Sequence, residues 1–105
     1  MKDAVLGKKY TLSVAVVDEK KIKSVNLIYR NKNEATDILS FPLDEKEGEI
    51  FLNLKQTKIQ AKTFERKYEN FLAFLFIHGL VHLKGFAHGS RMESEEAKYR
   101  KKFGV

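Results

Sequence analysis

The chain has 105 residues, 43% of them apolar and 32% charged, which suits one globular domain over residues 1–105 and argues against two lobes around a cleft. Twenty Lys and Arg against fourteen Asp and Glu leave a net charge of +6, favouring an anionic partner, nucleic acid first. With no cysteine, disulfide scaffolds, thiolate-bound zinc, iron–sulfur clusters and thiol nucleophiles are excluded.

Tyr10 to Val17 alternates and reads as a strand, with Leu12, Val14 and Val16 on the face expected to be buried. Asp18 is placed to cap a helix beginning near Glu19, in which Ile22, Val25, Ile28 and Tyr29 form an apolar stripe and Arg30 lies near the end. After a polar stretch, Asp37 to Leu43 reads as a strand, and Pro42, the chain's only proline, points to a sheet edge or a bulge. A charged turn over 44–48 leads to a second strand, Glu49 to Asn53, and the two are expected to pair as a hairpin. The remainder reads as helix. From Phe64, the residues Tyr68, Phe71, Leu75, His78 and His82 follow at four- and three-residue steps on one stripe. Between Phe71 and Leu83 nearly every side chain is apolar, which predicts a central helix buried on all sides and ending near Gly85. The same run is shorter than the roughly 18 residues of a membrane span, and the first residues lack the apolar core of a signal peptide. A cytoplasmic chain with no membrane partner is expected. Ser90-Arg-Met-Glu93 matches a capping box for a last helix, with Lys98, Arg100, Lys101 and Lys102 at its end. The expected fold is α+β, a small mixed β-sheet packed with helices.

All three histidines fall in His78-Gly-Leu-Val-His82-Leu-Lys-Gly85-Phe-Ala-His88. Four residues advance a helix by about 400°, so His78 and His82 project from one face a turn apart. Gly85 stops the helix and lets the chain bring His88 back to them. Three neutral imidazoles with an open fourth position make a zinc site of the catalytic type, with bound water as the nucleophile. The metal site is therefore expected at the end of the central helix, as one Zn2+ held by His78, His82 and His88 plus water. Gly79, in mid-helix, implies a close approach at that point. The spacing is also that of metzincin proteases, but their general-base Glu is replaced by Gly79, which removes the protease reading.

The segment from His78 to His88 resembles the H-G-x-x-H-L-x-G-y-D-H signature of the YbeY family of bacterial endoribonucleases and ribosomal RNA maturation factors. Asn26-Leu-Ile-Tyr29-Arg30, followed by Thr36-Asp-Ile-Leu-Ser-Phe-Pro42, is similar to that family's L-N-x-x-Y-R and T-N-V-L-S-F-P blocks. Gly48-Glu-Ile50 stands where the family has G-D-I. The departures are Ala87 for the acidic residue before the third histidine, Asp37 for Asn, Glu49 for Asp, and a shorter N-terminus.

The resemblance implies a single-strand-specific, metal-dependent endoribonuclease of the cytoplasm. Its expected work is maturation of the 3′ end of 16S ribosomal RNA and ribosome quality control. The implied partners are single-stranded RNA, ribosomal RNA and the small ribosomal subunit, and DNA is not expected. The resemblance assigns Arg30 to the phosphate and the transition state, a task suited to a bidentate, permanently charged guanidinium. Ser40, Lys84 and Phe86 are candidate substrate contacts. Glu49 or Asp37 is the candidate proton acceptor, if metal-bound hydroxide is not itself the nucleophile. Lys20, Lys21 and Lys23 and the Lys98–Lys102 run could track an RNA backbone, and Tyr29, Phe41 and Phe86 could stack on bases, although Tyr29 and Phe41 lie on stripes that favour the core. Two other readings use the same residues: a ribosome-associated RNA-binding factor whose zinc is mainly structural, and a zinc hydrolase of another ester or amide.

Overall fold

The computed structural model describes residues 1–32, 34, 36–86 and 89–105. Its elements, in chain order, are α1 (Lys2–Leu6), β1 (Thr11–Val16), α2 (Glu19–Arg30), β2 (Ile38–Asp44), β3 (Glu47–Leu52), α3 (Leu54–Thr63), α4 (Tyr68–Leu83) and α5 (Ser90–Phe103). The sheet order is β1-β3-β2, with β1 parallel and β2 antiparallel to β3. This is the expected mixed sheet and hairpin. Pro42 lies on the edge strand β2, at a register irregularity between Pro42 and Asp44, where a missing backbone donor costs the ladder least. Asp18 caps α2, its side chain accepting from Lys21 N–H at 2.8 Å.

Alternation along the strands builds two apolar layers. Ile22 and Val25 of α2 pack on Leu39 and, with Phe41 and Phe51, form the layer on one face. Ile38, Ile50 and Leu52 point to the other face and join the larger core around α4. There α4 crosses β2 and is flanked by α1, α3 and α5. Phe71, Leu75, Ile77, Leu80, Val81 and Leu83 are buried, as the apolar run requires, but Leu72, Phe74 and Phe76 are only half-buried, so the helix is central without being enclosed on every side.

Gly79 marks the crossing point. A Cβ there would lie 2.7 Å from Ser40 Oγ, 2.9 Å from Ile38 Cδ1 and 3.2 Å from Ile50 Cδ1. The close approach implied by a mid-helix glycine is the contact of α4 with the sheet. Gly79→Ala should destabilise the fold by about 1–2 kcal/mol, because overpacking outweighs the gain in helix propensity. Urea melts of both proteins check this; an unchanged or higher midpoint would show that the crossing tolerates a methyl group.

Four local expectations need correction. Val14 and Val16 are not buried but 47% and 62% exposed, and Leu12 is only half-buried. The cause is that β1 is an edge strand: Val14 and Val16 stand beside Ile50 and Leu52 on the same face as α4, but α4 lies over β2 and β3 and leaves that edge uncovered. Ile28, 74% exposed, leaves the α2 stripe, whose buried positions are Ile22, Val25 and Asn26. The helical run does not start at Phe64. It divides there, with α3 ending at Thr63, Glu65 in a left-handed conformation at φ 54°, and α4 starting at Tyr68. Ser90 does not cap α5, because it is already helical and Gly89, at φ 153°, takes the cap position. Among the described residues, no helix is long and apolar enough to cross a membrane.

Candidate functional site

A cleft of about 780 Å³ runs along the open edge of β2. The C-terminal end of α2 borders it with Tyr29 and Arg30, and α4 contributes Phe74, His78 and His82. Asp37, Ser40 and Phe41 lie between them, and Glu96 reaches in from α5. The edge strand thus lets residues from helices on opposite faces of the sheet meet around one groove.

The four-residue spacing brings His78 and His82 together as expected, with ring centroids 4.8 Å apart and planes at 87°. His78 Nδ1 is 2.5 Å from Glu96 Oε1. His82 Nδ1 is 3.2 Å from the carbonyl oxygen of Phe86 and donates to it when protonated. With each Nδ1 turned to an oxygen of the protein, the tautomer that carries a lone pair on Nε2 is favoured on both rings. That donor set fits a first-row divalent metal, for which paired imidazoles backed by a carboxylate and a carbonyl are a common support. His88, the expected third ligand, lies outside the described residues. Among the described residues, no three His, Cys, Asp or Glu side chains form a group that could hold a metal ion.

Glu96 is the site residue that sequence reasoning missed. It is buried at 7% exposure and follows Met92 by one helical turn, with Tyr99 three residues further on. A carboxylate on the buried stripe of α5 was the available signal, since an acid is rarely placed there without a partner.

The other candidates separate clearly. Arg30 is exposed and lines the cleft. Ser40 also lines it, with an Oγ that is buried and has no hydrogen-bond partner among the described residues. Asp37 lines the cleft too, and burial pushes its carboxyl above the usual range, against backbone hydrogen bonds and the neighbouring His78 that lower it. Glu49 pairs with Phe41 and sits at a half-buried position on the α2 side of the sheet, outside the cleft lining. Lys84 also lies outside it. Its Nζ donates to Glu95 Oε1 at 2.7 Å and Tyr99 Oη at 3.1 Å, which ties α4 to α5. Phe86 is half-buried against the main core and meets the site through its carbonyl. Lys20, Lys21 and Lys23 are exposed on α2, and neither they nor Lys98, Lys101 and Lys102 line the cleft.

The family model described as Endoribonuclease YbeY matches residues 1–103. The chain is 37% identical over 90 residues to Endoribonuclease YbeY of Acholeplasma laidlawii, covering 82% of this chain and 66% of that protein. It is 43% identical over 88 residues to Endoribonuclease YbeY of Ureaplasma urealyticum, covering 78% of this chain and 55% of that one. It therefore spans two thirds or less of the length of these curated relatives. A solution structure of a Thermotoga maritima protein superposes with a TM-score of 0.67 at 29% identity, covering 97% of this chain and 76% of the other. That match extends the agreement from sequence to the α+β fold. Joined to the family-model match over all but the last two residues, it places the chain in the Endoribonuclease YbeY family.

Proposed function

We propose that the chain is a metal-dependent endoribonuclease that cleaves single-stranded RNA, with ribosomal RNA of the small subunit as its cytoplasmic substrate. The observation that carries this reading is the pair His78 and His82, each anchored through Nδ1, in one cleft with Arg30. His78, His82 and His88 would hold one zinc ion, with water completing the set. When bound, such an ion supplies charge stabilisation at the phosphoryl oxygens and activation of water near neutral pH. Glu96 holds the His78 ring, and the Phe86 carbonyl holds that of His82. Arg30 binds the phosphate beside the scissile bond through two parallel N–H donors and keeps its charge throughout. Of the two carboxylates open as proton acceptors, Asp37 is the one in the cleft lining.

The test is cleavage of a single-stranded ribosomal RNA fragment and of the same sequence in duplex. The single strand should be cut and the duplex spared. A chelator should stop the reaction and added zinc restore it, and affinity should fall steeply with salt because phosphate contacts dominate binding. A protein that loses only melting temperature on metal removal, with no cleavage to lose, would be an RNA-binding factor instead. Salt-insensitive RNA binding would favour a hydrolase of another ester or amide.

A further inference from the structure

The ring of Tyr29 lies parallel to that of Phe41, with centroids 4.8 Å apart and planes at 14°. Phe41 in turn packs edge-on against Phe51, at 5.3 Å and 82°. This short ladder is rooted in the apolar layer under α2, where Phe41 and Phe51 pack on Ile22, Val25 and Leu39. Yet Tyr29, at its top, is 60% exposed. One face of a large ring is thus fixed by the protein while much of the side chain stays open, and the residue lines the histidine cleft. Arg30, the next residue, is also exposed and lines the same cleft. Core packing accounts for Phe41 but not for an exposed Tyr29.

We infer that Tyr29, backed by Phe41 and Phe51, is a stacking platform for one unpaired nucleobase of the RNA, next to the phosphate held by Arg30. Stacking needs only a π-face, which every base has, so the platform carries little sequence preference. It needs a base whose face is open. In a duplex both faces are covered by neighbouring pairs, so the platform supplies a physical basis for preferring single strands. The ring is already held by Phe41, so little side-chain freedom is lost on binding. This inference rests on the RNA-cleaving reading of the site.

The chain contains no tryptophan, so Tyr29→Trp introduces a single indole as a reporter at the platform. Titration with a short single-stranded oligoribonucleotide should quench its emission, and an abasic ribose-phosphate chain of equal length should not. Tyr29→Ala should weaken oligonucleotide binding roughly tenfold, whereas Tyr29→Phe should bind within about twofold of wild type. Equal quenching by the abasic chain would overturn the platform. So would wild-type affinity of Tyr29→Ala in a protein that still binds and cleaves RNA, and the reading of the site would then stand without it. A wild-type protein that neither binds nor cuts the oligonucleotide would instead overturn that reading, and the platform with it. Because the side chain is largely exposed, a matching circular dichroism spectrum should confirm that each variant folds.

Discussion

Replacing His82 with alanine is expected to lower cleavage of single-stranded RNA roughly a thousandfold while leaving the fold intact. A metal at a phosphoryl centre supplies several kcal/mol of transition-state stabilisation, and each 1.36 kcal/mol is about tenfold in rate. Loss of one imidazole from the proposed three-histidine set should remove most of the metal and hence that contribution. The helix should survive, because alanine is its best former and the buried side chains of α4 lie at other positions. RNA binding should weaken only mildly, since Arg30 and the positive surface remain. The readouts are single-turnover cleavage, filter binding and a thermal melt on the same preparation. Wild-type cleavage by a metal-free variant would reject the mechanism.

Glu96→Gln should weaken metal binding by roughly ten- to a hundredfold, with cleavage falling in step at limiting metal. Glutamine keeps the volume and an acceptor for His78 Nδ1, so the contact between α4 and α5 is preserved. What goes is the negative charge behind the imidazole, which makes Nε2 a better donor. Glu96 is therefore a positioning residue. Competition with a chromophoric chelator reads the affinity directly, a property that a packing role alone would not move. Equal metal affinity in the two proteins would reduce Glu96 to a structural partner of His78.

What could be read from the sequence follows the range of the interactions concerned. The His78 and His82 pair, the Asp18 cap, the glycine at the helix crossing and the proline at the sheet edge are local signals, each set by spacing or by one residue's backbone chemistry. The exposure of Val14 and Val16 is not local. It depends on which strand occupies the edge and on where α4 crosses, and period-two alternation carries neither fact. The break between α3 and α4 was hidden for a different reason. Its left-handed residue is Glu65 rather than a glycine, so no breaker interrupts the apolar period. The five-residue α1 is too short to show a period at all.

The same division runs through the cleft. Arg30 and Ser40 came from motif resemblance, and both line it. Glu96 meets His78 across 18 positions of sequence, so only tertiary packing pairs them. Tyr29 ends the apolar stripe expected on α2 but, like Ile28, is exposed rather than core; it stacks on Phe41, and the helix ends one residue later and leaves it open to the groove. Lys84 shows the reverse case. Its place in the histidine segment is a local signal, but its partners Glu95 and Tyr99 lie on α5 and are set by tertiary packing.

Elemental analysis of protein purified without a histidine tag tests the central claim most directly. Wild type should carry about one zinc per chain and His82→Ala almost none, with both proteins folded. A folded wild-type protein that cleaves RNA while holding no metal, or a His82→Ala protein that keeps a full complement, would contradict the account.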